Sequence, residues 1–450
     1  MTIGVKASPL FNPALQRSER SVVGKRITRF SIWAISATAA FTFFVLYFSQ
    51  PNTSDVVAVV VAPQKKLLQP PPHRDDHQYP PPIPNIPPPP PKEEEEKEEE
   101  EVECEVWKGA WVWDRRGPSY TNSSCLTIPD SKNCGKHGRE DTEFLHWRWK
   151  PEGCDLPRFD ASAFLEVVRG KKMAFVGDSV ARNQMESLLC LLSQAESPTD
   201  IYKDEEDRFR TWYFPSHDFT LLVLWTKFLV VGVERVVNGS NTGVFDVHLD
   251  QIDTQWTQDL HLYDYVVVSD GHWFFRKLYL HQKNTLVGCV FCSEPNVTEV
   301  GLSFAFTHVF RAALKYILEC DECGRLVTLV RTFSPAHFEA GTWNDGGRCN
   351  RTRPYRGREV RSGGTEWDIS RAQVAEVVRA REEGRGKGRK FGVLDVTKAM
   401  MMRPDGHPNS HWNNQGMEGY NDCVHWCLPG PIDAWNDLLL AMVKKEKSLN

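Results

Sequence analysis

The chain has 450 residues, of which 41% are hydrophobic and 25% are charged, and its formal net charge is −5. This composition indicates a sizeable folded core and excludes a wholly disordered chain. The acidic balance argues against a nucleic-acid partner, because such proteins bind by neutralising phosphates with Lys and Arg. All 12 cysteines lie at or after Cys104, which indicates an oxidising compartment or a metal site.

The N-terminal part carries the pattern of a membrane anchor. Residues 30–48 contain no charged side chain and are just long enough to cross a bilayer core as a helix. Six Lys and Arg against one Glu in residues 1–29 predict a cytosolic tail and a lumenal C-terminal part. A cleaved signal peptide is the alternative, and the length and late start of the apolar run disfavour it. Residues 49–103, rich in Pro and then Glu, are predicted to form a solvated stalk.

The predicted lumenal domain, residues 104–450, has two regions. Residues 104–160 are rich in Cys and Trp with little periodicity, which indicates a disulfide-stapled lobe. Residues 161–450 alternate strand and helix patterns, which predicts an α/β fold with a parallel sheet covered on both faces. The predicted strands are 172–176, 326–330 and 391–396, and residues 219–231 and 263–268 are further β-rich runs. The predicted helices are 183–192, 303–318, 366–381 and 432–444. An anchor, a stalk and a lumenal domain are typical of a single-pass type II Golgi membrane protein.

The segment KKMAFVGDSVARNQ joins a predicted strand directly to a predicted helix. Ser179 therefore lies at the carboxyl end of a strand and at a helix N-terminus, where open α/β sheets bind ligands. Helix N–H groups can stabilise an oxyanion there, so Ser179 is a candidate nucleophile. The alternative is that Ser179 only caps the helix.

A second segment, GYNDCVHWCLPGPIDAW, contains Asp422 and His425 three residues apart. An Asp at this spacing can bind the Nδ1 of the imidazole and leave Nε2 free to accept a proton from a serine. Cys423 and Cys427 flank the histidine, so disulfides could hold this loop rigidly. A structural loop with a surface histidine is the alternative.

The blocks FVGDSVARNQ and YNDCVHWCLPGPIDAWN resemble those of the plant trichome birefringence-like family, polysaccharide O-acetyltransferases related to the GDSL/SGNH esterases. The likeness covers roughly residues 104–445 and includes CEVWKGAWVWD, SDGHWF and RTFSPAHFEAGTWNDGGRCNRTRPY. It implies an SGNH-hydrolase-like parallel sheet flanked by helices. CVFC and the LPGPIDAWN ending are most similar to the xyloglucan-directed branch, with xylan or mannan as the next acceptors.

The resemblance implies Ser179 as nucleophile, His425 as general base and Asp422 as its orienting acid. It implies an oxyanion hole of the Ser179 N–H, Gly271 and, in place of the usual family Asn, Asn183. The candidate substrate-binding residues are Arg182, His272, Trp273, Arg331, Trp343, Asn344 and Trp426. Asp178 is expected to order the turn.

The implied reaction is a ping-pong acetyl transfer through acetyl-Ser179, with acetyl-CoA or a relayed acetyl group as donor and no bound cofactor or metal. A membrane protein could supply the acetyl group. Two alternatives stay open: a carbohydrate acetylesterase using the same triad, and a non-catalytic protein that binds wall polysaccharide.

Other signals allow further expectations. Cys289-x-x-Cys292 and Cys320-x-x-Cys323 have zinc-ribbon spacing, but a lumenal location favours disulfides, with cross-pairing between the two motifs preferred. Cys190 is a candidate free thiol. His407 and His411 suggest a metal, yet no third ligand is evident. The sequons predict glycosylation at Asn122, Asn238, Asn296 and Asn350.

Overall fold

The computed structural model describes residues 104–413, 417 and 419–448. The predicted cytosolic tail, membrane anchor and stalk lie outside these residues. Within the described ranges no helix combines the length and apolarity needed to span a bilayer.

The described residues form three sheets and the helices that cover them. The strands are β1 (Gly109–Trp113), β2 (Trp147–Pro151), β3 (Lys172–Gly177), β4 (Thr199–Lys203), β5 (Phe209–Phe214), β6 (Phe219–Trp225), β7 (Val230–Val237), β8 (Ser240–Ile252), β9 (Tyr265–Ser269), β10 (Leu278–Gln282), β11 (Thr285–Val290), β12 (Val327–Arg331) and β13 (Lys390–Leu394). The α-helices are α1 (Ala161–Val167), α2 (Ser179–Leu192), α3 (Thr254–Thr257), α4 (Gly301–Glu319), α5 (Thr365–Gly384), α6 (Thr397–Met401) and α7 (Asp433–Ser448).

The central sheet has seven strands in the order β13-β12-β9-β3-β6-β5-β4. The first five of these run parallel, and β5 and β4 add an antiparallel edge. After β3 the chain forms the edge strand β4, comes back through β5 to β6 beside β3, and later adds β9 on the other side of β3. The strand order therefore reverses between β3 and β9, and their carboxyl ends open a crevice of the kind in which α/β proteins bind ligands.

Both faces of this sheet are buried, as the apolar strand runs predict. Met173 and Phe175 of β3 pack into the cluster that contains α1, α2 and α7. Ala174 and Val176, which point to the opposite face, pack with α4 and α5. The α/β prediction is thus confirmed, and the buried strands and amphipathic helices carried its signal.

The β-rich run 219–231 contains more than one strand. It is two strands: β6 ends at Trp225 and β7 begins at Val230, and Leu229 between them has a φ of +62°. β7 belongs to a separate four-stranded sheet in the order β11-β10-β8-β7, which sequence periodicity did not predict. Only Thr226 and Lys227 mark the break in the sequence, and the apolar residues on each side of it are equally suited to a buried strand.

Six disulfides staple the described part of the chain. The pairs are Cys104–Cys154, Cys125–Cys190, Cys134–Cys427, Cys289–Cys292, Cys320–Cys323 and Cys349–Cys423. Two of them join residues 104–160 to the α/β region, which confirms the stapled lobe. Cys190 is paired, so the expectation of a free thiol is wrong.

The expected cross-pairing of the two CxxC motifs is also wrong, since each motif closes on itself. Both local pairs have Cα atoms within ordinary bridging distance, at 5.9 Å for Cys289–Cys292 and 5.4 Å for Cys320–Cys323. The first motif precedes α4 and the second follows it. A 19-residue helix is about 28 Å long, so it holds the two motifs apart.

Candidate active site

The turn between β3 and α2 presents Ser179 at the crevice. Gly177 has a φ of +144°, and a Cβ at this position would lie 1.5 Å from the carbonyl oxygen of Ser269 on β9. Only glycine allows the two strands to approach this closely. Asp178, rather than Ser179, caps α2, because its Oδ1 accepts the Val180 N–H at 2.9 Å. The Ser179 hydroxyl is therefore not used as a cap.

Ser179, His425 and Asp422 form one chain of hydrogen bonds. The Ser179 Oγ lies 2.7 Å from His425 Nε2, and His425 Nδ1 lies 2.8 Å from Asp422 Oδ2. Asp422 Oδ1 accepts the His425 backbone N–H at 2.9 Å, so the carboxylate binds both the ring and the backbone of the same histidine. The arrangement makes Nδ1 the donor toward Asp422 and leaves Nε2 as the acceptor that a serine nucleophile requires.

The surroundings of Asp422 keep its carboxyl group ionised. Burial acts to raise the pKa of this carboxyl, but His425, by its charge and its hydrogen bonds, lowers the pKa well below the usual range. Cys423 is bonded to Cys349 and Cys427 to Cys134, so a disulfide lies on each side of His425. The loop that carries the acid and the base is anchored at two points.

The peptide group between His425 and Trp426 is held from both sides. His407 Nδ1 lies 2.7 Å from the His425 carbonyl oxygen, and Asn183 Oδ1 accepts the Trp426 N–H at 2.8 Å. The Asn183 amide also donates to the Trp426 carbonyl at 3.3 Å. Asn183 was expected to supply an oxyanion donor; instead it is wholly buried and ties α2 to the loop of the base. That expectation is wrong.

Two histidines lie behind this loop, of which His407 is buried and His337 is half-buried. His337 Nδ1 lies 2.7 Å from His407 Nε2, and His337 Nε2 lies 3.3 Å from the Met401 carbonyl. Burial lowers the pKa of His337 to about 4 and the pKa of His407 far below its usual value, so both rings are neutral near pH 7. Two neutral imidazoles carry two N–H protons for three contacts. The two 2.7 Å contacts take them, and His407 donates to the His425 carbonyl.

The expected oxyanion hole is only partly available. The Ser179 N–H, at the start of α2, makes no hydrogen bond within the described residues. The Gly271 N–H already donates to Asp178 Oδ2 at 3.1 Å and to Asp270 Oδ1 at 2.7 Å. The expectation that Gly271 supplies a free donor is therefore wrong for this structure. Asp178 orders the turn, because it binds the N–H groups of Val180, Gly271 and His272.

Arg331 and Trp426 were expected to contact substrate, and both of these expectations are wrong. The Arg331 guanidinium is 2% exposed and lies 4.8 Å from the centre of the Trp435 ring. Burial lowers its pKa to about 10, and the buried carboxylates Asp178 and Asp270 act in the opposite direction. Trp426 is fully buried, stacks on His407 and donates its Nε1–H to Ser334 Oγ. Neither residue lines the cavity that contains Ser179.

A cavity of about 680 Å³ opens over the triad. Ser179, Asp422 and His425 line it, together with four of the expected substrate-binding residues: His272, Trp273, Trp343 and Asn344. The volume is within the range of small-molecule sites. Trp343 and Tyr420 are 44% and 39% exposed, and their rings stack at 6.3 Å, which forms an aromatic surface suited to a sugar ring.

His272 adds a second imidazole to the cavity. Its Nε2 lies 2.9 Å from the Ser334 carbonyl oxygen and must donate the proton there. Burial lowers the pKa of His272 to about 4, so the ring is neutral near pH 7 and Nδ1 is left as an acceptor.

Residues 156–442 match PC-Esterase, a GDSL/SGNH-like acyl-esterase family found in Pmr5 and Cas1p, and this match covers more than half of the chain. The chain belongs to the PC-Esterase family. Residues 102–155 match the PMR5 N-terminal domain. The family resemblance of the sequence blocks is thereby confirmed, and the SGNH-like fold with it.

Several curated plant proteins are similar to this PC-Esterase chain. Xyloglucan O-acetyltransferase 4 of Populus trichocarpa is 61% identical over 77% of this chain and 82% of its own length. Xyloglucan O-acetyltransferase 2 of Arabidopsis thaliana is 56% identical over 77% of this chain and 84% of its own length. Protein trichome birefringence-like 19 of Arabidopsis thaliana is 45% identical over 76% of this chain and 82% of its own length.

Arg182 was expected at the substrate, but it lies outside the cavity of this PC-Esterase domain. Its guanidinium pairs with Glu186 at 2.8 Å and with Asp207 at 2.9 Å. The side chain points along α2 rather than over the nucleophile. The expectation is wrong because the carboxylates of Glu186 and Asp207 bind the guanidinium and hold it away from the cavity.

Sequence reasoning missed several residues that line the cavity. They are Phe275, Arg276, Phe291, Phe333, Phe338, Trp412 and Tyr420. Some lie within or beside blocks that were quoted for the family resemblance, so proximity to those motifs was the usable signal. The others come from distant loops, and no local pattern marks them.

The remaining predicted sites are the glycosylation sequons and the histidines that suggested a metal. All four sequon asparagines, Asn122, Asn238, Asn296 and Asn350, are exposed. His411 Nδ1 lies 3.2 Å from the His137 carbonyl oxygen, and His407 pairs with His337 as described above. The described part of the chain contains no group of three His, Cys, Asp or Glu residues placed to hold a metal.

Proposed function

We propose that this protein is an O-acetyltransferase that moves an acetyl group from a donor to a hydroxyl of a cell-wall polysaccharide, with xyloglucan as the acceptor. The observation that carries the proposal is the hydrogen-bonded chain of Ser179, His425 and Asp422 in an aromatic cavity. The relatives named xyloglucan O-acetyltransferases, at 56 to 61% identity over most of the chain, support the choice of polymer.

The first half-reaction acylates the serine. Ser179 Oγ attacks the acetyl carbonyl while His425 Nε2 accepts the hydroxyl proton. The Ser179 N–H at the start of α2 stabilises the oxyanion that forms. His425 then gives the proton to the leaving group of the donor, and the acetyl group stays on Ser179 as an ester.

The second half-reaction delivers the acetyl group. A sugar hydroxyl gives its proton to His425 Nε2 and attacks the acetyl-Ser179 carbonyl. The ester bond to Ser179 breaks, and His425 returns the proton to Ser179 Oγ. One acetyl group has moved, and the three residues are back in their starting protonation states. Throughout, Asp422 stabilises the positive charge that His425 carries in each transition state.

An acetylesterase is the second candidate, and the family description as acyl-esterases favours it. The same steps with water as acceptor would release acetate. Transfer requires that a bound hydroxyl outcompete water, which well-oriented bound groups achieve through high effective concentrations. The stacked Trp343 and Tyr420 rings support transfer, because they offer a surface that would hold a sugar beside the triad.

The test uses the full-length chain, wild type and Ser179→Ala, with an activated acetyl donor and xyloglucan, xylan and mannan oligosaccharides. We expect acetylated xyloglucan and an acetyl-Ser179 adduct with the wild type only, both measured by mass. Acetate release without acetylated sugar would identify an esterase. Binding of polymer without turnover, unchanged by Ser179→Ala, would identify a non-catalytic wall-binding protein.

We also propose that the protein is a single-pass type II protein of the Golgi membrane with its catalytic domain in the lumen. The uncharged run of residues 30–48 after a basic tail supports this, and six disulfides suit an oxidising lumen. In sealed Golgi vesicles the domain should resist added protease and carry glycans at its sequons. Digestion without detergent would place the domain on the cytosolic side.

A further inference from the structure

Two cations flank one aromatic ring in the wall of the catalytic cavity. Lys227 Nζ lies 4.8 Å from the centre of the Trp273 ring, and the Arg276 guanidinium carbon lies 4.6 Å from it. Arg276 also lies 5.3 Å from the centre of the Trp343 ring. Trp273, Trp343 and Arg276 all line the cavity that contains Ser179. These distances are within the range of cation–π contacts, which hold the cations in place without neutralising them.

Neither cation has a carboxylate within 4 Å among the described residues. This contrasts with neighbouring Arg208, which pairs with Glu206 at 3.2 Å. Glu234 is the carboxylate that acts on both Lys227 and Arg276 from a distance, and its Oε1 accepts the Gly243 N–H. Burial lowers the pKa of each cation, and Arg208 and Arg276 further lower that of Lys227. The two cations repel each other, and a bound anion would relieve that repulsion.

The proposed reaction has two substrates, and only one of them needs a cation. Xyloglucan is built of neutral sugars, which the exposed rings of Trp343 and Tyr420 suit. The Trp273 ring is less suited to a sugar, because the edges of Trp225 and Phe245 and the two cations surround it. The acetyl donor must reach Ser179 through the same cavity. Arg276 lines that cavity, and Lys227 contacts the Trp273 ring in its wall, so the two cations are placed to bind the donor.

We infer that Lys227 and Arg276 bind the phosphate groups of an anionic acyl donor, a thioester of the acetyl-coenzyme A type. This rests on the proposed transferase function. Phosphate oxygens accept charge-assisted hydrogen bonds from ammonium and guanidinium groups, and the Arg276 fork can bind two oxygens at once. With the phosphates held there, Ser179 Oγ attacks the thioester carbonyl, the carbon–sulfur bond breaks, and the thiolate takes its proton from His425.

The test compares two donors in the same sample of full-length protein. Acetyl-coenzyme A carries phosphates, whereas S-acetyl-N-acetylcysteamine has the same thioester and none. For Lys227→Gln and for Arg276→Gln, the ratio of kcat/KM for acetyl-coenzyme A to that for the uncharged donor should fall about tenfold or more. Lys315→Gln removes an equal charge from the exposed face of α4, where Lys315 pairs with Glu319, and should leave the ratio unchanged. The uncharged donor reports whether the triad is intact in each variant.

Coenzyme A binding by calorimetry, with the wild type and both variants, separates this inference from the function on which it rests. An unchanged ratio together with unchanged coenzyme A affinity would overturn the inference and leave the transferase function standing. Absence of transfer from either donor would reject that function, while coenzyme A affinity weakened by both substitutions would still support the anion site. Weakened binding of an acidic oligogalacturonide, with coenzyme A affinity unchanged, would overturn the inference in favour of an acidic glycan.

Discussion

At the scale of single residues, the orientation of one carboxylate decides whether His425 can act as a base. Asp422 Oδ1 is bound by the backbone N–H groups of Val424 and His425, so Oδ2 is the oxygen that faces Nδ1. The carboxylate accepts in both places and therefore fixes one tautomer of the imidazole. The amide of an asparagine has only one acceptor atom, so it cannot accept hydrogen bonds at both of these places.

In Asp422→Asn, the two backbone N–H groups would hold the amide oxygen at the Oδ1 position. The NH₂ group would then face His425 Nδ1, and the proton of the ring would move to Nε2, which faces Ser179. We expect kcat for acetyl transfer to fall about 10³- to 10⁴-fold, as for the equivalent change in serine proteases. Asp160→Asn, at the N-cap of α1, is the matched control, and a loss below tenfold for Asp422→Asn would contradict the assigned role.

At the scale of elements, two disulfides keep the loop of the acid and base against the sheet. Cys349–Cys423 spans 74 residues and lies immediately beside Asp422, whereas Cys320–Cys323 spans three residues and lies beyond α4. Chain-entropy arguments assign about 4 kcal/mol to closing a loop of the longer size and much less to the shorter one. Removing each bridge in turn therefore distinguishes an effect on the position of His425 from the general effect of losing a disulfide.

We expect the double variant Cys349→Ala/Cys423→Ala to lower both the Tm and kcat, because the loop loses its anchor and the hydrogen bond of His425 to Ser179 loosens. Cys320→Ala/Cys323→Ala should change kcat little. Thermal melting and acetyl-transfer rates measured on both purified variants check this. Equal losses of kcat in the two variants would show that the bridge beside Asp422 has no special part in placing the base.

At the scale of the whole molecule, half-buried ionisable groups make the stability of the fold depend on pH in opposite directions. Burial raises the pKa of Asp433 to about 6, and burial together with the charge of Asp433 raises the pKa of Asp437 to about 7. These folded-state values exceed the unfolded value of about 3.9, so the two groups reduce stability as the pH rises from about 4 to about 7. His272 and His337, with pKa values of about 4, bind protons more weakly when folded and therefore increase stability over about pH 4 to 6.5.

The substitution Asp437→Asn isolates one of these contributions. The amide oxygen can still accept the Phe159 N–H that now binds Asp437 Oδ1 at 2.7 Å. Relative to the wild type, the variant should gain stability as the pH rises from 5 to 8, by at most about 1.4 kcal/mol per pH unit up to pH 7. Melting temperatures of both proteins across this range measure the difference. A difference that does not change with pH would mean that Asp437 is ionised in the folded protein at pH 5.

The sequence by itself determined the features that are written locally. Strand–Gly–Asp–Ser–helix predicts the turn that carries the proposed nucleophile, since the glycine is required by the backbone of β9 and the helix begins at once. The Asp422-x-x-His425 spacing identifies the acid and base pair, because three residues within one loop fix their separation. Buried apolar runs likewise predicted the α/β fold, since each strand faces two packed layers.

Only the tertiary structure decided the features that depend on distant segments. Asn183 and Trp426 are 243 residues apart, and no local pattern reveals that the first clamps the second rather than binding an oxyanion. The Gly271 N–H is occupied by a carboxylate 93 residues away. The two CxxC motifs lie on opposite sides of α4 and so close on themselves. Lys227 and Arg276, beside Trp273, come from two separate connections between the seven-stranded and the four-stranded sheet. Hydrogen bonds and charges act through space, so their partners follow from the folded path of the chain and not from its order.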